Sequence, residues 1–368
     1  MTTKLVERIF QAISEREPES LSFADYMRIC LYDPEEGYYA DPRYRKIGRS
    51  GDFYTSVSVG DCFGFLLGLA AERRWREDFG SPQSFRIVEQ GAHDGQLARD
   101  FLAGLKERDS PLAAVARYTI FEPDKLRAKN LVELLRDSAP EIEVVSQPPP
   151  ETAPGSQGLF LGNELLDAFP VCRLRRESGT WRELRVAGDP LHWQSAPIDP
   201  KSDLGEAASR IPNPEDLPDG YTTEICLEIE PWMSEASRWF ERGRWWVIDY
   251  GREAADYFSP ERRNGTLRGY RNHQRCDDPF LAPGETDLTA DVNFTEVDRV
   301  ALRHGLSRIQ LADQHHFLIE TAKPWLASIE ASGPDALAAN RKRLRQFQTL
   351  THPDLMGRAF KVAEYWRG

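Results

Sequence analysis

Ser84-Phe85-Arg86-Ile87-Val88-Glu89-Gln90-Gly91-Ala92-His93-Asp94-Gly95-Gln96-Leu97 is the stretch that decides the fold. Phe85 to Glu89 reads as a short buried strand and Gly91 to Gly95 as a turn. Residues 97–105 then carry the 3.6-residue apolar spacing of a helix. Further along, Tyr118-Thr119-Ile120-Phe121-Glu122 reads as a second strand, and Asp124 stands at the N-cap of a helix running to about Leu135. Residues 142–145 and 158–162 form third and fourth strands around a Pro-rich loop, and Trp245 to Tyr250 a later one. Strands alternating with helices imply right-handed βαβ units and an α/β fold built on a mostly parallel sheet.

Between Cys172 and Tyr221 the rhythm changes to antiparallel hairpin strands (173–175, 181–186, 191–193) and a Pro-rich linker, read as an insertion. Upstream, residues 4–15 and 23–31 read as two short helices before an irregular Gly/Tyr/Asp-rich loop. Downstream, residues 294–304 read as a helix, 307–311 and 316–319 as strands, and 334–368 as a helical tail. The resulting organisation is an N-terminal helical and loop segment (1–80), a core in two parts (81–171 and 222–330), the β-rich insertion (172–221) and the tail (331–368).

The charge sum, 47 − 59 = −12, opposes general nucleic-acid binding, which needs a positive field. The basic run Arg341-Lys342-Arg343…Arg345 reads as the solvated face of a helix. The longest apolar run, residues 63–71, is broken by Gly64 and Gly68 and is too short to span a bilayer; its glycines read as close packing. The acidic N-terminus has neither a signal core nor transit-peptide character, so the expected location is cytoplasmic. Five scattered cysteines read as reduced thiols. His315-His316, read on a strand, would point to opposite faces and could not share a metal.

In an open parallel sheet, ligands lie beyond the carboxyl ends of the strands. Four strands here end on acids: Glu89-Gln90-Gly91, Glu122-Pro123, Asn163-Glu164 and Asp249-Tyr250-Gly251. Any one of these acids is equally well a helix cap, but four together point to a site. Glu122 is placed to hold the two hydroxyls of a nucleoside ribose. The turn Gly91-Ala92-His93-Asp94-Gly95 matches neither G-x-G-x-x-G nor the P-loop, which favours a nucleoside ligand without a pyrophosphate.

Several motifs, in order along residues 21–318, resemble those of the MidA-like family of S-adenosylmethionine-dependent methyltransferases. They begin with Tyr32-Asp33-Pro34-Glu35-Glu36-Gly37-Tyr38-Tyr39, Gly51-Asp52-Phe53-Tyr54-Thr55-Ser56 and Asn163-Glu164-Leu165-Leu166-Asp167-Ala168-Phe169-Pro170. They continue with Ile248-Asp249-Tyr250-Gly251, Gly265-Thr266-Leu267-Arg268-Gly269-Tyr270 and Asp287-Leu288-Thr289-Ala290-Asp291-Val292-Asn293-Phe294. The resemblance implies a class I, Rossmann-like methyltransferase sheet with an N-terminal helical segment and an inserted β-hairpin region. It implies S-adenosylmethionine as cofactor, held by Gly51, Asp52, Thr55, Ser56, Glu89, Gly91, His93, Gly95, Glu122 and Asn163. Glu164 and Asp167 would be catalytic, pairing with an arginine guanidinium. The implied substrate is a protein, by family resemblance a respiratory-complex subunit, since the mitochondrial members methylate an arginine of complex I. The family turn reads G-x-G-x-G, and His93 replaces its middle glycine. A side chain there either crowds the amino-acid half of the cofactor or demands an unusual backbone angle. Ser58 and Asp61 stand where the family commonly has Glu and Pro. Two other readings stay open: a methyltransferase-fold binding or assembly protein without turnover, and a small-molecule methyltransferase. Oligomeric state is not legible in the sequence.

Overall fold

Apolar residues at successive positions, rather than alternate ones, mark strands covered on both faces, and such runs form the central sheet of the computed structural model. The structure describes residues 4–40, 55–271 and 274–368. Two compact units divide the chain: Met1–Tyr54, Leu166–Pro231 and Gly251–Val297 form the first, and Thr55–Leu165, Trp232–Tyr250 and Asp298–Gly368 the second.

The second unit contains β1 (Phe85–Gln90), β2 (Ala116–Phe121), β3 (Glu143–Val145), β4 (Gln157–Asn163), β5 (Arg242–Arg252), β6 (Ser307–Asp313) and β7 (Phe360–Arg367). Their order across the sheet is β6-β7-β5-β4-β1-β2-β3. Strands β1 to β5 pair in parallel, and β7 runs antiparallel to both β5 and β6. The winding direction reverses between β1 and β4, the switch point where doubly wound sheets open a crevice. Ile87, Val88, Phe160, Leu161, Trp246 and Ile248 are fully buried in the middle of the sheet. At about 1.5–3 kcal/mol for each large side chain, they outweigh any helix preference in these short runs.

Helix α1 (Cys62–Glu77) lies on α2 (Gln96–Glu107). A Cβ at Gly64 would stand 2.6 Å from the Asp100 Cβ, and one at Gly104 would stand 3.0 Å from the Phe65 Cα. The glycine spacing therefore serves close helix approach. Asp124 caps α3 (Lys125–Leu135), its side chain accepting the Arg127 N–H.

Two expectations are corrected. Residues 316–319 are helical, inside α4 (Gln314–Ser332), so His315 and His316 are neighbours on a helix; the Nδ1 of His315 lies 2.5 Å from the Thr351 carbonyl. The tail forms helices at Pro334–Ala339 and at α5 (Arg341–Thr351), but Phe360–Arg367 is β7, inserted between β5 and β6. Lys361 and Glu364 obscured the strand pattern. Glu364 is fully buried because Arg74, Arg244, Gln310 and the Trp246 indole all donate to it. Along the basic run, Arg343 pairs with Glu107 and Asp61 and stacks over Phe65, while Arg341, Lys342 and Arg345 are exposed.

In the first unit, helices Lys4–Ser14 and Phe23–Tyr32 accompany an antiparallel sheet. Its strands run in the order Leu21–Ser22, Thr180–Ala187, Cys172–Glu177, Thr222–Ile225, with His192–Pro197 beside Thr180–Ala187. The helix Asp203–Ala208, capped by Ser202, forms where the sequence reads as linker, and the strand Thr222–Ile225 follows it, at the start of the expected second part of the core. A three-stranded sheet orders Gln274–Cys276, Arg268–Arg271 and Asp287–Thr289. All five cysteines are free thiols. Among the described residues no helix is long and apolar enough to cross a membrane.

Candidate active site

The four acid-ended strands are β2, β1, β4 and β5, which are consecutive in the sheet and parallel. Register aligns their ends: Gln90 pairs with Phe121 and with Gly162, and Asn163 pairs with Ile248. Gly91, Glu122 and Glu164 therefore start loops along one edge of the second unit and Asn163 ends β4 there, whereas Asp249, expected as a strand end, lies inside β5, which stays paired through Arg252.

After β1 the backbone passes through the left-handed region three times, at Gly91 (φ 81°), His93 (φ 50°) and Gly95 (φ 75°). Gly95 donates to the Ala92 carbonyl at 2.7 Å, and Asp94 Oδ1 accepts at 3.0 Å the N–H of Gln96, the first residue of α2. His93 takes the angle that glycine adopts without cost. Its Nδ1 is buried without a hydrogen-bond partner among the described residues and lies 3.8 Å from Asp94 Oδ1. Burial pushes the Asp94 carboxyl up, but the His93 ring and the Gln96 N–H outweigh it and hold it below the usual value. The two glycines also have packing reasons: a Cβ at Gly91 would lie 3.2 Å from Leu165 Cδ1, and one at Gly95 would lie 3.0 Å from Leu135 Cδ2.

Glu89 is buried and accepts the Tyr118 hydroxyl at 2.8 Å. Burial pushes its carboxyl up to about 7, against the pull of that hydroxyl. Gln90 accepts the Trp232 indole N–H at 3.0 Å. Glu122, also buried, accepts the Asp124 N–H at 3.0 Å and faces Arg127 at 3.4 Å. Its burial raises the carboxyl more than Arg127 lowers it.

Asp249 organises the loop after β4, its two oxygens accepting the N–H groups of Leu165 (3.1 Å) and Tyr250 (2.8 Å). Glu164 sits in that loop at φ 50°, a conformation a non-glycine residue adopts only when its surroundings over-determine it. Its Oε1 accepts the Ser56 N–H at 3.1 Å and the Asn163 amide at 3.2 Å. Asn163 is 7% exposed, and among the described residues its Oδ1 has no hydrogen-bond donor. Thr55 and Ser58 close a reciprocal turn: each backbone N–H donates to the other's hydroxyl, and the Ser58 hydroxyl donates to the Thr55 carbonyl. Ser58 thus has a local structural role.

Residues 66–311 match the family model of S-adenosyl-L-methionine-dependent methyltransferases. The chain belongs to this methyltransferase family. S-adenosylmethionine is therefore the methyltransferase's cofactor. It is 29% identical over 373 residues to the protein arginine methyltransferase NDUFAF7 homolog, mitochondrial, of Drosophila melanogaster, covering 94% of this chain and 81% of that protein. The NDUFAF7 protein of Mus musculus, also named a mitochondrial protein arginine methyltransferase, is 26% identical over 383 residues, covering 97% and 83%. Among solved structures, a COG1565 superfamily member from Burkholderia thailandensis bound to S-adenosyl-homocysteine shares the fold, with a TM-score of 0.84 at 24% identity, covering 99% of this chain and 92% of that one.

Of the residues expected at the site of this methyltransferase, Glu89, Gly91, His93, Gly95, Glu122, Asn163 and Glu164 gather at the sheet edge; Ser56 approaches it through Glu164, and Thr55 precedes Ser56 and bonds to Ser58. Gly51 and Asp52 lie outside the described residues. Asp167 belongs to the first unit, where its carboxyl is pushed up to about 6 by burial, with Arg268 pulling it down and Asp291 pushing it up. Asp291 pairs there with Arg268 and, at 3.1 Å, with Arg252; the Tyr39 hydroxyl donates to Asp287 at 3.1 Å. Sequence reading missed Gln314, which accepts the Ser56 hydroxyl at 3.0 Å. No local signal marks it, because its partner is hundreds of residues away in the chain.

Proposed function

We propose that the chain transfers the methyl group of S-adenosylmethionine to an arginine side chain of a protein, on a class I methyltransferase sheet. The names of the relatives support the substrate class, and the buried Oδ1 of Asn163 beside Glu164, which has no donor among the described residues, is the observation that carries it. An unmet buried acceptor is costly, by about 1–3 kcal/mol, unless a ligand supplies its donor. A guanidinium offers five N–H donors in a planar fork and matches an amide oxygen and a carboxylate set side by side.

The chemistry of the residues suits the cofactor. Glu122 offers a carboxylate at the end of β2 that ribose hydroxyls could donate to, and the turn at 91–95 brings main chain to the end of β1. When bound, S-adenosylmethionine supplies an electrophilic sulfonium methyl. Glu122, Glu89, Gly91, His93, Gly95, Thr55 and Ser56 would hold it, with Gly51 and Asp52 assigned by resemblance. The protein's own task is orientation: Asn163 and Glu164 hold the guanidinium so that one nitrogen faces the methyl, and Glu164 offsets its positive charge. Asp167, in the first unit, is assigned a catalytic role by resemblance alone, and a respiratory-complex subunit is the first substrate to try.

The test is incubation of the purified chain with tritium-labelled S-adenosylmethionine and arginine-containing proteins, followed by acid hydrolysis and amino-acid analysis. Label in methylarginine is expected. Label confined to a non-protein fraction would replace this reading with small-molecule methylation. Binding of S-adenosyl-homocysteine without any transfer would replace it with a binding role.

A further inference from the structure

Two glutamines on the C-terminal helices grip the segment that precedes α1. Gln314, the first residue of α4, is fully buried: its Oε1 accepts the Ser56 hydroxyl at 3.0 Å, and its Nε2 donates to the Leu350 carbonyl near the end of α5 at 3.1 Å. Gln346 of α5 is 8% exposed, and its Oε1 accepts the Cys62 N–H at 3.0 Å. A Cβ at Gly60 would fall 2.1 Å from the Gln346 Nε2, so glycine is required for the amide to lie against the chain there. Both ends of residues 56–62 are thus tied to helices that contribute no strand end to the site.

The tie at Ser56 has a consequence beyond packing. Its hydroxyl is held by Gln314, while its backbone N–H donates to Oε1 of Glu164. Glu164 is in a left-handed conformation that local preference does not favour, so its orientation depends on such outside contacts. A buried amide that both accepts and donates has one orientation that satisfies both bonds, which makes it a rigid spacer.

We propose that Gln314 is a positioning residue for methyl transfer: through the Ser56 hydroxyl it sets the main-chain N–H that orients the Glu164 carboxylate. This rests on the reading that Glu164 holds the substrate guanidinium. The link runs from the α5 carbonyl at Leu350, through the Gln314 amide and the Ser56 hydroxyl and backbone, to Glu164.

The experiment is a double-mutant cycle on the full chain with Gln314→Met, which keeps side-chain length but removes both polar contacts, and Ser56→Ala, which removes only the hydroxyl. Turnover of a methyl-accepting protein and affinity for S-adenosyl-homocysteine are measured for each. Either variant is expected to lower kcat about tenfold, with cofactor affinity changed less than about threefold in Gln314→Met, which leaves every cofactor-holding side chain in place. The double variant is expected to be no worse than the weaker single, because both break one link. Gln314→Glu, which keeps the acceptor for Ser56, is expected to recover part of the loss. Losses that multiply in the double variant, or a Gln314→Met protein with wild-type kcat and only a lower melting temperature, would overturn the proposal. Glu164→Gln separates the layers: full turnover there overturns the Glu164 reading and this proposal together. A dead Glu164→Gln beside an unimpaired Gln314→Met overturns the proposal alone.

Discussion

The carboxylates at the sheet edge of the second unit and several of those in the first unit are held in different ways. At the sheet edge of the second unit the donors are mainly main-chain amides and neutral side chains: Leu165 and Tyr250 N–H on Asp249, Ser56 N–H and the Asn163 amide on Glu164, and the Tyr118 hydroxyl on Glu89. In the first unit guanidinium groups recur: Arg252 and Arg268 on Asp291, Arg185 on Glu183, Arg210 on Glu296. Amide donors fix a carboxylate's direction through the backbone, whereas an arginine neutralises its charge through a flexible arm. The first arrangement suits a group that must orient a cationic substrate, and the second suits one that must survive burial.

The contrast is most exposed to test at Arg268. Arg268→Ala leaves Asp291 short of a cation beside buried Asp167, and should lower unfolding free energy by about 3–5 kcal/mol in urea titrations. A loss below about 1 kcal/mol would show that the guanidinium is not what makes burial of these acids tolerable.

Glu89 gives the complementary test in pH. Its carboxyl stands near 7 in the folded chain against 4.5 for a free one, so the stability it contributes is complete below about 4.5 and is lost as pH rises through 7. Relative to Glu89→Gln, which cannot ionise, the wild type should lose up to about 3 kcal/mol between pH 4.5 and 8 in paired denaturant titrations. Parallel curves for the two proteins would remove burial as the controlling factor at this edge.

Glu164→Gln keeps the shape and the acceptor oxygen but loses the charge. Turnover should fall about a hundredfold, with S-adenosyl-homocysteine affinity within about threefold of wild type. An equal loss in both would move Glu164 from substrate orientation to cofactor binding. The smallest effect is expected at Asp124, where Asp124→Ala removes the cap on α3 and should cost about 1 kcal/mol in thermal unfolding.

What was legible follows the range of the interactions. The β1–turn–α2 unit, the Asp124 cap and the hairpins of residues 172–197 are settled within a dozen residues, where periodicity and capping chemistry operate. Strand β7 was not legible, because its pairing partners β5 and β6 lie well upstream and its buried Glu364 is neutralised by Arg74 and Arg244. The strand Thr222–Ile225 was hidden in the same way: Glu224 is buried, and its Oε2 is held by Thr266 N–H at 2.7 Å. A charge in a strand reads as exposure until its partner is known.

By itself the chain's order of residues determined that acids would end several parallel strands and that the turn at 91–95 would be tight, since both depend on neighbouring residues. Only the tertiary structure decided that those strands stand side by side in one row, that His93 accepts a left-handed backbone, and that Gln314 reaches Ser56. Sheet order and long-range side-chain bonds are set by which surfaces bury best together, a property of the whole folded chain rather than of any local stretch.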